Sequence, residues 1–284
     1  MSRSVRVKAG AALMIVLAGA LRAEAQQRPF VTEDPRTIGA GQVLFETGVD
    51  WMQGVTFPAS GLRGDLVAGP TLGISVGVGP IAEIQIDGSP YRRLTISERR
   101  PAPLSAVLSV SGTTTAVDDV VIATKLRLLT EGRRKPALGI RFATRLPNAS
   151  NESGLGQDTT DFFASFLAGK TVGRVRGVAN AGVAIVGDPV VAARQEDLLT
   201  LGLSLAGVLG GGFELVAEYN GRMNLAASSP VPGTENRGVA RAGLRFTKGA
   251  VRFDAAGLFG ATSTDLDLGA TAGLTWVFHA FRMP

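Results

Sequence analysis

Four cations, Lys125, Arg127, Arg141 and Arg145, sit at odd positions in two segments that alternate charged or small residues with large apolar ones. If those segments pair as neighbouring strands, the cations share one face. They then repel unless water, counter-ions or an anionic solute lies among them. That is the chemistry of charge selection, not of bond making. Other ionised residues obey the same parity: Glu46 and Asp50, Glu83 and Asp87, Glu214 and Glu218, Arg241 and Arg245, Arg252 and Asp254. Nearly every one falls opposite the bulky apolar side chains of its segment. The acids at 83 and 87 adjoin the bases at 125 and 127, and those at 214 and 218 adjoin 241 and 245. Such cross-strand pairs stabilise a sheet by up to ~1 kcal/mol each. Two readings stay open: a salt-bridged, water-filled interior without a special ligand, or a selectivity patch that favours acids.

Catalysis finds little support. His279 is the single histidine, near the carboxyl end, and nothing sets a nucleophile and an orienting partner beside it. Gly169-Lys170-Thr171 echoes a phosphate loop, but Ala164 stands where the leading glycine belongs. Glu152, Asp158 and Asp161 match no standard cation loop. No cofactor, catalytic or metal site is expected. With no cysteine there is no disulfide framework, thiolate metal site or lipidated cysteine.

The elements that must position these charges begin after a targeting signal. Arg3, Arg6 and Lys8 precede the apolar run 9–21, and Ala23-Glu24-Ala25 supplies a small-x-small cleavage pattern. Residues 1–25 therefore read as a cleaved secretory signal peptide, and its loss leaves the chain near neutral. No concentrated basic tract follows, which argues against nucleic acid as a partner. Residues 26–42 are polar and proline-broken, an irregular periplasmic lead-in.

From there the chain reads as segments of about ten residues, the length of a tilted strand that crosses a bilayer. They are 43–51, 66–76, 81–89, 120–129, 137–146, 161–170, 175–186, 198–205, 213–222, 238–247, 251–260 and 268–278. The stretch 198–213 is too glycine-rich for a helical span, so a membrane crossing would have to be made by strands. The hairpin 137–169 shows the pattern best, with Leu138, Ile140, Phe142 and Leu146 on one face and two arginines on the other.

Links alternate long and short: 52–65, then 77–80; 90–119, then 130–136; 147–160, then 171–174; 187–197, then 210–212; 223–237, then 248–250; and finally 261–267. A soluble sandwich mixes loop lengths at both ends, whereas an outer-membrane barrel keeps long loops outside and tight turns in the periplasm. The expected fold is all-β: a closed antiparallel transmembrane β-barrel of about 12 strands over 43–284. An even strand number puts both ends on the periplasmic side. The long link 90–119, with Leu104, Val107, Leu108 and Val110, could fold into the mouth or extend the wall above it.

Several stretches also resemble one family. Arg28-Pro29-Phe30-Val31-Thr32-Glu33-Asp34-Pro35 with Gly41 and Glu46, residues 118–129, the hairpin from Leu138 through Asp161-Phe162, and residues 180–189 are similar to outer-membrane transporters assigned to the MetA pathway of phenol degradation. The resemblance implies an outer-membrane barrel with a transport role. The chain departs from such barrels at its end, where Phe281 is followed by Arg282-Met283-Pro284.

The resulting expectation is a passive or facilitated channel for small solutes, aromatic or acidic, in the outer membrane of a Gram-negative-type bacterium. Its partners would be membrane lipid, the solute and the barrel-assembly machinery. The rival is a structural or adhesive barrel with a plugged lumen that binds partners through its loops.

Overall fold

The computed structural model describes residues 28–191, 193–225 and 230–282. The expected signal peptide lies outside them. In chain order the strands are β1 (Gln42–Phe57), β2 (Leu62–Gly77), β3 (Ala82–Gly88), β4 (Arg92–Arg99), β5 (Thr113–Ala116), β6 (Val120–Leu129) and β7 (Ala137–Leu146). Then come β8 (Asp161–Val172), β9 (Val175–Gly187), β10 (Gln195–Gly210), β11 (Phe213–Asn224), β12 (Arg237–Lys248), β13 (Val251–Gly260) and β14 (Leu268–His279). Among the described residues, helix is limited to two single 3-10 turns, Ser105–Val107 and Asn151–Ser153.

Twelve of these strands close a ring: β1 pairs with both β2 and β14, and every pairing is antiparallel. Gln42 at the start of β1 is the register partner of His279 at the end of β14, so both ends of the barrel lie on one rim. That rim carries the tight turns, such as the one after β10, where Gly211 and Gly212 take positive φ angles of 61° and 88°. The opposite rim carries the long connections.

Two departures from the sequence reading occur at the long-loop rim. The first link is mostly strand, since β1 runs to Phe57 and β2 begins at Leu62. Those extensions are stabilised by an apolar cluster of Val55, Leu62, Leu66, Leu94, Leu155, Leu258 and Leu266 over the mouth. The partners come from distant parts of the chain, so no local pattern announces them. Within 90–119, β4 and β5 form a hairpin that pairs with the upper half of β2, while the lower half of β2 pairs with β3. The exchange falls at Pro70, which has no N–H to give to a ladder. The link thus extends the wall and also turns inward, for Leu104 is buried and Leu108 and Val110 pack against the cluster.

The outer face explains why the ring is stable in lipid. Ile74, Ile84, Ile122, Phe142, Leu201, Leu203, Leu215, Leu244 and Phe253 all point out of the barrel. Aromatic residues gather toward the two rims, with Trp51, Phe162 and Phe259 near one and the Phe213–Phe246 and Trp276–Phe278 pairs near the other. An apolar belt between aromatic girdles is the surface a bilayer requires. Leu203→Arg, at a mid-strand site 55% exposed, is expected to lower the unfolding free energy. The loss should be about 2–4 kcal/mol, read as the shift in urea midpoint of the barrel in lipid vesicles. An unchanged midpoint would place this face away from hydrocarbon.

Candidate functional site

The inner face is charged, and the ladder registers explain how its charges coexist. Glu83 is the register partner of Lys125, with Oε1 2.8 Å from Nζ. Glu218 opposes Arg241 at 2.9 Å, and Glu214 opposes Arg245. Arg245 in turn opposes Asp254, while Arg252 approaches Glu214 at 3.9 Å. Glu46 is buried and accepts from Thr275 Oγ1 at 2.9 Å; Asp50 accepts from Thr271 Oγ1 at 2.6 Å. Asp87 lies 3.9 Å from Arg141, and Arg145 bonds Asp161. Arg127 stands at the tight-turn rim and donates to the Pro80 carbonyl.

What fills the centre is the segment read from sequence as a lead-in. It is irregular, but residues 28–38 run through the bore and reach every strand of the ring. Arg28 donates to Thr71 on β2 (2.9 Å) and Thr271 on β14 (2.7 Å), and lies 3.7 Å from Asp50 on β1 and 3.6 Å from Asp254 on β13. Phe30 stacks under the Arg245 guanidinium of β12 at 4.2 Å. Glu218 on β11 accepts the N–H groups of Val31, at 2.8 Å, and Thr32. Asp34 accepts from Arg176 on β9 at 2.7 Å, and Glu83 on β3 accepts the Ile38 N–H at 2.8 Å.

Glu33 occupies the position that matters most. It lies 3.2 Å from Lys125 on β6 and 2.9 Å from Arg141 on β7. The cation cluster that demanded a counter-ion is therefore served by the chain's own carboxylate. Small wall residues make room for the segment. A Cβ on Gly139 of β7 or Gly169 of β8 would come within 3.3 or 3.1 Å of Pro35, and Thr32 lies over Gly202 of β10. Below it, Arg176 also reaches Glu131 in the turn 130–136, at 2.8 Å. Burial opposes ionisation of Glu131, but the Thr171 N–H and the Arg176 and Lys170 cations outweigh it and hold its carboxyl below the usual range.

Sequence reasoning did not single out Arg28, Glu33, Asp34, Gln85, Arg176, Arg222 or Arg237 as lining groups. The last two were within reach, because Arg222 continues the four-residue spacing of Glu214 and Glu218, and Arg237 that of Arg245 and Arg241. The segment 28–38 has no periodicity to read. Of the groups set aside, His279 is exposed and lies 3.4 Å from Gln42, Lys170 pairs with Glu131, Asp161 is taken by Arg145 and Glu152 is exposed.

No protein-family model and no curated protein matches the chain. Solved structures do. The COG4313 outer membrane channel from Pseudomonas putida F1 superposes with a TM-score of 0.61 at 12% identity, over 86% of this chain and 98% of that one. The NanC porin gives a TM-score of 0.52 at 7% identity, over 84% and 100%. The translocator domain of the autotransporter NalP from Neisseria meningitidis gives 0.50 at 15%, over 84% and 89%. Closed ring, lipid-facing belt and these likenesses lead to one conclusion: the chain has the fold of an outer-membrane β-barrel.

Proposed function

We propose that this chain is an outer-membrane channel for small solutes whose bore is stoppered by its own amino-terminal segment. One observation carries the reading: residues 28–38 contact strands all round the ring yet belong to none, and join the wall where β1 begins. A narrow barrel sealed permanently is filled by side chains of its wall. Here the wall instead keeps glycines facing a separate, ion-paired segment, which can leave as a unit. Superposition on a channel and a porin supports the same reading, as does the resemblance of the chain to the MetA-pathway transporters. The protein would reach the outer membrane through its signal peptide and the barrel-assembly machinery, and it would need no cofactor and carry out no catalysis.

The competing reading, a structural barrel that binds partners through its loops, is favoured by the apolar cluster over the mouth. Planar-bilayer recordings of the purified chain and of a variant lacking residues 28–38 separate the two. A channel predicts a several-fold larger steady conductance for the shortened protein, with heat-modifiable gel migration retained as proof of folding. Silence from both folded proteins would leave the structural barrel. In the shortened background, Arg141→Glu should move ion preference toward cations, and an unchanged preference would remove Arg141 from the conducting path.

A further inference from the structure

The mouth at the long-loop rim holds an arrangement the plug does not use. Arg222 on β11 and Arg237 on β12 are direct register partners on the inward face. Like charges placed opposite each other destabilise a sheet. At every other inward register pair described above, such a base meets an acid or the plug. Here neither guanidinium has a carboxylate within 4 Å among the described residues. Arg222 donates to the carbonyls of Glu235 (3.2 Å) and Gly233 (2.7 Å), and Arg237 to that of Thr56 (2.9 Å). The buried Nε of Arg237 has no partner. Of the nearby acids, Asp265 accepts from Gly238 and Thr262, whereas Glu235 accepts the Gly233 N–H through Oε1 at 2.8 Å and leaves its buried Oε2 without a partner.

Both arginines line a recess of about 200 Å³ that also receives Arg145 and Arg92, with the carboxylates of Asp118 and Asp119 beside them. The latter two arginines already hold acids, Arg145 with Asp161 and Arg92 with Asp118 at 2.7 Å. Phe57 and Leu155 give the recess an apolar side. We propose that this recess is the capture site for a small organic carboxylate with an apolar body, its anionic head held between Arg222 and Arg237. Planar guanidiniums match a carboxylate through paired N–H donors, and the bonds gain from the charge on both partners. The apolar wall discriminates against small inorganic anions, which have nothing to place there. This deepens the channel reading by naming the class of solute, and it rests on that reading only for the claim that the ligand is then transported.

The test is equilibrium binding to the detergent-solubilised full chain, which needs no conductance. Benzoate is the probe, with benzamide as its neutral isostere and inorganic phosphate as the competing anion. The proposal expects benzoate to bind measurably tighter than either. It expects Arg222→Gln/Arg237→Gln to weaken benzoate by about tenfold or more, the loss that follows removal of a charge-assisted bond. Arg133→Gln/Arg134→Gln, which removes two exposed cations at the far rim, should leave binding unchanged. Heat-modifiable migration checks that each barrel is folded, and Arg237→Lys serves if the double variant is not: it keeps the charge, loses the fork and should still weaken binding. Equal binding of benzoate and benzamide, or wild-type affinity in the folded double variant, overturns the site. Tighter phosphate binding would turn it into an inorganic-anion or phosphate-headgroup site and also overturn the proposal. Binding without conductance would sink the channel and spare the site; conductance without binding would do the reverse.

Discussion

Replacing Glu33 by alanine should release the amino-terminal segment from the bore. Glu33 is 4% exposed, between Lys125 and Arg141. Removing one member of a buried ionic cluster costs about 3–5 kcal/mol, because the partners left behind stay desolvated and unmatched. In a strand of the wall that cost would fall on the barrel as a whole. In a segment that belongs to no strand of the wall it can be escaped, since the segment lifts out and water reaches both cations. The population of the displaced state should then rise by on the order of 10²–10³-fold. The absence of cysteine makes this measurable, for Thr37→Cys adds a single buried thiol to the segment. Its labelling by a membrane-impermeant maleimide should be much faster in the Glu33→Ala background, and Glu33→Gln, which keeps the shape and one acceptor oxygen but neither the charge nor the second acceptor, should fall between. Equal labelling rates would show that the ion pairs do not hold the plug.

Lys125→Met should give the largest loss of stability of any single substitution considered. The side chain is fully buried, with carboxylates at 2.8 Å (Glu83) and 3.2 Å (Glu33). Methionine fills similar space without charge, so the effect isolates electrostatics from cavity formation. Glu83 then keeps only the Ile38 N–H and the Gln85 amide as donors, both at 2.8 Å. The expected cost is about 3–5 kcal/mol, read as a fall in the urea midpoint of the barrel in vesicles. Adding Glu83→Leu, the register partner, should recover much of it, since a buried pair replaced on both sides by apolar groups is often neutral. A double variant no more stable than the single one would mean that the deficit comes from packing.

The two substitutions probe the same cluster from opposite sides, and they divide its roles. Lys125 belongs to the wall and Glu33 to the segment, so only the first should register strongly in global unfolding. Only the second should act mainly on access to the bore. That division is what a stopper predicts and what a permanently filled barrel does not.

The course of the wall was legible in the amino-acid order. The strands 120–129, 137–146 and 251–260 have the same bounds in sequence and structure. Alternation over about ten residues is a local property, and the bilayer rewards one face of it irrespective of partners. The parity of Glu83 and Lys125, or Glu218 and Arg241, followed from the same rule and became register pairs. Tertiary structure alone decided the rest. That β1 and β2 climb past the rim depends on Leu258, Leu266 and Leu94, which lie far away in sequence. That the segment 28–38 lies inside the ring depends on contacts such as Glu33 with Lys125, 92 positions apart. A strand that meets lipid is specified by its own residues. A segment that meets only the inside of a ring is specified by the ring, which exists only once it has closed.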